Sequence, residues 1–215
     1  MKKLIPILVV LMLFGLSACE TKEKFEHIEI ETNFGTMEVM LYNSTPGHRD
    51  NMLKLVKENF YDGLLFHRVV KDFMVQGGDP NSRGAGPEVS LGGGGPGYQI
   101  PNEIGAPHIR GTLAAARNNN PEKKSSGSQF YLVQGKKMTD RELDGFESNK
   151  GFKYNEEQRR LYKEVGGSPF LDMDYTVYGE IVKGIEVVDK IAALPLQGVR
   201  PTEDVVMKIR YLGKK

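Results

Sequence analysis

Polar and apolar residues alternate along His27-Ile28-Glu29-Ile30-Glu31-Thr32 and again along Thr36-Met37-Glu38-Val39-Met40-Leu41, with Asn33-Phe34-Gly35 between them. A period of two on both sides of a glycine turn predicts a β-hairpin. The period then lengthens. Thr45-Pro46 supplies a capping residue and a first-turn proline, and Met52, Leu53, Val56 and Phe60 recur at helical spacing as far as Tyr61-Asp62-Gly63. This predicts a helix with one apolar face. Short strands are predicted over 65–69, 73–76, 112–116, 129–133, 176–181 and 205–212, separated by Gly- and Pro-rich connectors. A second helix over 185–193 places Ile185, Val188, Ile191 and Ala192 on one face. Many short strands with two core helices predict a mainly β fold, a closed antiparallel barrel whose ends the helices cap.

One stretch breaks this rhythm. Residues 136–167 are polar and charged, with a helical end that Asn155 caps and that carries Glu156 and Arg160 as an i,i+4 pair of favourable sign. It reads as an insertion folding into a small surface helix; a partner-docking or substrate-shaping arm is the functional alternative. Composition agrees with a globular body, at 39% hydrophobic and 27% charged residues with a formal net charge of +1. No dense Lys/Arg run points to nucleic acid.

The first residues have a different character. Lys2 and Lys3 precede an apolar run over 4–16 that is too short to span a membrane as a helix. Leu16-Ser17-Ala18-Cys19 then resembles a bacterial lipobox, and Cys19 is the only cysteine. The expectation is a signal peptide over 1–18, lipidation at Cys19, a charged tether over 19–26 and a body over 27–215. An ordinary signal peptide with an incidental cysteine is the alternative. Glu20 is not the aspartate that retains some lipoproteins at the inner membrane, so outer-membrane anchoring facing the periplasm is expected.

Several chemistries find no support. Gly92, Gly94 and Gly97 match Gly-x-Gly-x-x-Gly, but no strand leads in and Tyr98-Gln99-Ile100-Pro101 cannot open a helix, so the run reads as a flexible glycine loop. His27, His48, His67 and His108 show no metal-ligand spacing, and Gly-x-Ser-x-Gly is absent. Neither a metal nor a cofactor is expected.

Arg68 within Phe66-His67-Arg68-Val69-Val70 is the unusual residue, a cation in apolar company ahead of Phe73, Met74 and Gln76. Alternation predicts Phe73 and Val75 on one face of the next strand, with Met74 and Gln76 on the other, unless a bulge intervenes. Taken by itself, Arg68 is equally a functional arginine or a structural one, either in an ion pair or with its stem laid over the barrel and its charge in water.

That run, continued to Gly77-Gly78-Asp79, is followed in order by Ser126-Gly127-Ser128-Gln129-Phe130-Tyr131 and by Phe170-Leu171-Asp172 with Val177-Tyr178-Gly179. Together these resemble the cyclophilin family over 27–212, interrupted by the insertion. The resemblance implies a closed eight-stranded antiparallel β-barrel capped by two α-helices. It also implies peptidyl-prolyl cis–trans isomerase activity on proline-containing segments of unfolded or exported proteins, by a monomer. By position, Arg68 is the catalytic arginine. Phe73, Met74, Tyr131 and Leu171 form the apolar pocket for the proline ring, and Gln76 and Gln129 hold polar groups near the substrate. Ala116 and Arg117 lie along the bound peptide, chiefly through their backbone. Phe170 stands where eukaryotic members carry Trp and Tyr175 where they carry His, as in bacterial members. The missing indole N–H implies weak binding of cyclosporin-type ligands. A non-catalytic proline-peptide binding module or chaperone on the membrane is the alternative.

Overall fold

The computed structural model describes residues 23–215. The signal peptide expected over 1–18 and the expected lipidation site Cys19 lie outside these residues, as does the expected tether up to residue 22. Two strands, β1 (Glu26–Thr32) and β2 (Gly35–Leu41), form the predicted hairpin. Its register sets Ile28 against Val39 and Ile30 against Met37, and all four side chains are fully buried. Each contributes about 1.5–3 kcal/mol of apolar burial, which is why the alternation was so regular. Helix α1 (Pro46–Lys57) follows, with Met52, Leu53 and Val56 inward. Thr45 occupies the N-cap without a side-chain cap bond. The carboxylate of Glu103 does that work instead, accepting from the N–H groups of Gly47 (3.0 Å) and His48 (2.9 Å).

The remaining strands are β3 (Leu64–Leu65), β4 (Arg68–Val70), β5 (Met74–Gly77), β6 (Gln99–Ile100), β7 (Thr112–Ala115), β8 (Ser125–Ser126) and β9 (Phe130–Val133). Beyond helices α2 (Asp140–Lys150) and α3 (Glu156–Glu164) come β10 (Val177–Lys183), helix α4 (Glu186–Ala192), β11 (Leu196–Gln197), β12 (Arg200–Pro201) and β13 (Val206–Lys214). Nine strands form one antiparallel sheet in the order β3-β13-β1-β2-β10-β7-β9-β5-β4.

This corrects the closed eight-stranded barrel to an open, curled sheet with two ends. The end strands β3 and β4 are consecutive in the chain, joined through Phe66 and His67, and no ladder links them. The Phe66 N–H donates to the Val205 carbonyl (2.9 Å) and the Val69 N–H to that of Val199 (2.7 Å), so these groups bond outside any closing ladder. At the other extreme of the chain, Phe25 and Lys215 exchange a pair of backbone hydrogen bonds at 2.9 and 3.0 Å, extending the pairing of β1 with β13.

The two faces of β5, β7 and β9 bury different things. Val75, Leu113, Ala115, Phe130 and Leu132 belong to the main core beneath α1 and α4. Met74, Ala114, Tyr131 and Val133 form a second cluster with Leu171 and Val177. Phe73 joins this second cluster, not the side of Val75. It lies in the turn ahead of β5, where Asp72 takes φ of 60° and resets the alternation. The helices number four among the described residues, because the insertion forms both α2 and α3 where the sequence suggested one. Thr139 and Asn155 each build a capping box, with Glu142 and Gln158. Arg160 pairs with Glu157 and Glu164 and not with Glu156.

Candidate active site

The site is a row of side chains laid across adjacent strands. Arg68 on β4 is paired with Gln76 on β5, Gln76 with Tyr131 on β9, and Tyr131 with Ala114 on β7. Directly opposed residues of antiparallel strands project to the same face, so register alone gathers positions distant in sequence. The next row, Val70, Met74 and Val133, continues the surface. Phe73 enters from its turn, and Phe170 and Leu171 from the 3₁₀ turn Pro169–Leu171. The result is a cavity of about 300 Å³ lined by Arg68, Phe73, Met74, Gln76, Ala116, Arg117, Tyr131, Phe170, Leu171 and Tyr175. Of the sequence-named pocket residues only Gln129 stands outside it, behind Gln76. Gln129 lines an adjoining cavity of about 390 Å³ under the glycine loop.

Arg68 forms no ion pair among the described residues, so its cation is not there to neutralise a carboxylate. Its Nη1 donates to Gln76 Oε1 at 3.0 Å, and its Cζ lies 6.0 Å from the centre of the Phe73 ring. Gln76 Nε2 donates to Gln129 Oε1 at 3.0 Å, and Gln129 Nε2 donates to the carbonyls of Gly92 (2.9 Å) and Gly94 (2.7 Å). Each amide is oriented by the next group along, and the chain of bonds aims the guanidinium at the cavity.

The far end of that chain is also held, so the glycine loop is less free than its composition suggested. Asp79 is fully buried and accepts from the N–H groups of Asn81 (2.8 Å), Gly92 (2.6 Å) and Gly94 (3.1 Å). A Cβ on residue 94 would sit 2.1 Å from Asp79 Oδ1, which explains glycine there. Sequence reasoning did not single out Asp79. Its only mark in the sequence was its place between Gly77-Gly78 and Pro80.

The opposite wall is anchored by Asp172, also buried. Its Oδ1 accepts from the His108 backbone N–H (2.8 Å) and lies 2.7 Å from His108 Nδ1; its Oδ2 accepts from the hydroxyls of Tyr154 (2.7 Å) and Tyr162 (2.5 Å). A carboxylate at Nδ1 fixes a proton on that nitrogen, and His108 Nε2 lies in hydrogen-bond contact with the Tyr131 hydroxyl at 2.9 Å. Lys150 Nζ donates to the carbonyls of Phe170 and Asp172, both at 2.6 Å. Tyr154, Tyr162 and Lys150 all belong to the insertion. It has a small core of its own around Leu143, and it also buttresses the pocket wall, so a surface helix is too modest a description.

Ala116 and Arg117 both line the cavity, as expected from the resemblance. The Ala116 N–H donates to the Gln129 carbonyl (2.9 Å), and its own carbonyl accepts from the Ser126 N–H (2.8 Å), so this backbone is already bonded within the fold. The Arg117 side chain, expected to matter less, lies against the Tyr175 ring with Cζ 4.7 Å from its centre. Phe170 is 44% exposed, its ring centre 5.0 Å from that of Phe73, and offers no N–H to a ligand.

Three histidines face carboxylates, namely His27 with Glu38, His48 with Glu103 and His108 with Asp172. Both ring nitrogens of His67 are buried with no hydrogen-bond partner among the described residues. Burial holds the His67 and His48 pKa values below the ordinary one, at His48 against the opposing effect of Glu103. In the unfolded chain both rings protonate near about 6.5. As pH falls through that value the unfolded state binds protons that the folded state refuses, so stability is full above it and declines below it. Thermal unfolding is expected to show a lower midpoint at about pH 5.5 than at about pH 7.5, with a smaller drop in His67→Gln. Equal midpoints would refute this.

Comparison with known proteins agrees with this geometry. The family described as cyclophilin type peptidyl-prolyl cis-trans isomerase/CLD matches residues 27–211. A Staphylococcus aureus protein, provisionally named a peptidyl-prolyl cis-trans isomerase, is 33% identical over 183 residues, covering 84% of this chain and 88% of its own. A Staphylococcus haemolyticus protein with the same provisional name is 32% identical over 187 residues, with the same coverage. Among solved structures, the Cryptosporidium parvum cyclophilin type peptidyl-prolyl cis-trans isomerase superimposes with a TM-score of 0.64 at 22% identity, covering 87% of this chain and 97% of that one. The same protein was also solved in the presence of the dipeptide Ala-Pro, with a TM-score of 0.62. The row of Arg68, Gln76 and Tyr131 therefore stands in a protein that belongs to the cyclophilin-type peptidyl-prolyl cis–trans isomerases.

Proposed function

We propose that Arg68 carries the isomerisation by donating a hydrogen bond to the nitrogen of a substrate proline whose ring occupies the cavity beside Phe73, Met74, Tyr131 and Leu171. The observation that carries this reading is a guanidinium with no carboxylate partner among the described residues, oriented by Gln76 at the edge of an apolar cavity. Amide resonance sets the rotation barrier at about 18–20 kcal/mol. Twisting the bond returns a lone pair to the proline nitrogen. A donor aimed at that nitrogen therefore stabilises the twisted state more than the planar one. No nucleophile and no proton transfer are needed. The rigid, permanently charged fork of arginine suits the task, and the aromatic walls keep water from weakening the bond. Exchange spectroscopy on an Ala-Pro peptide is the test. Binding without faster cis–trans exchange would favour a non-catalytic binding module instead.

The cavity is completed within one chain, which supports action as a monomer. The substrates are proline-containing segments of exported proteins as they fold, and Cys19 carries a lipid that holds the body at the outer membrane facing the periplasm. The sequence around Cys19 supports this placement. Among the described residues, no helix is long and apolar enough to cross a membrane. Metabolic labelling with a fatty acid is expected to mark the wild-type chain and not Cys19→Ser; label on both, or on neither, would overturn the anchor.

A further inference from the structure

We propose that Arg117 selects prolyl substrates bearing an acidic side chain within two or three residues of the proline. This rests on isomerisation at the cavity around Arg68 and adds a substrate class to it. The prolyl cavity and the glycine-loop cavity share Gln76, Ala116 and Arg117, so Arg117 stands on the saddle between them. A peptide that seats its proline in the first cavity and continues into the second must cross this side chain. Among the described residues, Arg68 and Arg117 are the charged residues lining the two cavities, and no carboxylate lines either.

The guanidinium of Arg117 is held in place without being neutralised. Its Nε donates to the Asp174 carbonyl at 2.9 Å, its Nη1 makes a long bond of 3.3 Å to the Asn118 carbonyl, and its plane is supported by the Tyr175 ring. Nη2 has no hydrogen-bond partner among the described residues. The nearby carboxylate of Asp174 is occupied by two other cations, Lys123 at 2.8 Å and Lys150 at 2.7 Å. The surroundings of Arg117 thus carry more positive than negative charge. A substrate carboxylate meets a preoriented fork there, and a substrate ammonium meets repulsion.

The site is open to solvent, so the effect is modest and salt-sensitive. The experiment compares Ala-Pro peptides with Asp, Ala or Lys placed at successive positions up to three residues either side of the Ala-Pro pair. It reads kcat/KM by exchange spectroscopy at low salt. Wild type is expected to favour Asp over Lys by roughly 3- to 10-fold at one or more positions. That ratio should shrink towards one in Arg117→Gln and at about 1 M salt, survive in part in Arg117→Lys, and invert in Arg117→Glu. A side chain acting only as a strut between Tyr175 and Asp174 would change all peptides alike and leave the ratio untouched. An Asp/Lys ratio of one in wild type overturns the proposal, and so does a ratio that persists in Arg117→Gln. No turnover on any peptide, the neutral ones included, would refute the isomerase activity and the selectivity with it.

Discussion

Replacing Arg68 with alanine is expected to lower turnover on an Ala-Pro peptide by roughly two to three orders of magnitude, the usual effect of removing one transition-state donor. The fold should survive. Arg68 has no carboxylate partner among the described residues to strand, and Gln76 keeps its bond to Gln129 when Arg68 Nη1 is gone. The half-buried side chain leaves mainly a gap at the cavity edge. Arg68→Lys is the sharper comparison. It keeps the charge but loses the fork that lets one N–H bind Gln76 while the others face the substrate. Its turnover should therefore fall well below wild type. Peptide binding measured by titration should change far less than turnover in both variants, because the bond matters most when the amide is twisted. Turnover unchanged in Arg68→Ala would refute the role assigned to this residue.

The largest stability loss is expected at Asp172, which touches no substrate. Its carboxylate is buried and receives the His108 backbone N–H, the His108 ring and the hydroxyls of Tyr154 and Tyr162. Asp172→Ala leaves those donors unpaired in a dry environment. Breaking such a buried set by removing one member costs about 3–5 kcal/mol. For a chain of this length that is a fall in Tm of roughly 10 °C. The insertion would loosen from the pocket wall, and His108 would lose the contact that sets its ring against Tyr131. Asp172→Asn retains one acceptor oxygen and should lose clearly less. Thermal unfolding of both variants checks this; an Asp172→Ala midpoint within a degree or two of wild type would show that the network is incidental.

Local regularity explains what could be read in advance. The hairpin of β1 and β2 and the apolar faces of α1 and α4 follow from periods of two and 3.6 over enough residues to be unambiguous. The row Arg68, Gln76 and Tyr131 had no such basis, since register between β4, β5 and β9 is long-range. It became readable only through resemblance to a family. The misreadings come from long-range partners in some places and from local irregularity in others. Thr45 looked like the cap of α1, but Glu103 arrives from 55 residues away. Phe73 was assigned by alternation to the face of Val75, but one turn residue at Asp72 reset the count. The segment read as one strand over 65–69 divides at Phe66 and His67, whose neighbours pair with opposite ends of the sheet. Polarity hid the role of the insertion, because Tyr154 and Tyr162 serve it through their hydroxyls.

The pairing of β1 with β13 also bears on when the molecule can fold. The first strand finds its second neighbour only in the last nine-residue strand, and β3, the start of the catalytic segment, borders that same strand. During synthesis, neither the hairpin nor the segment leading to Arg68 can settle fully until residues 205–214 have emerged. Contacts this distant in sequence slow folding.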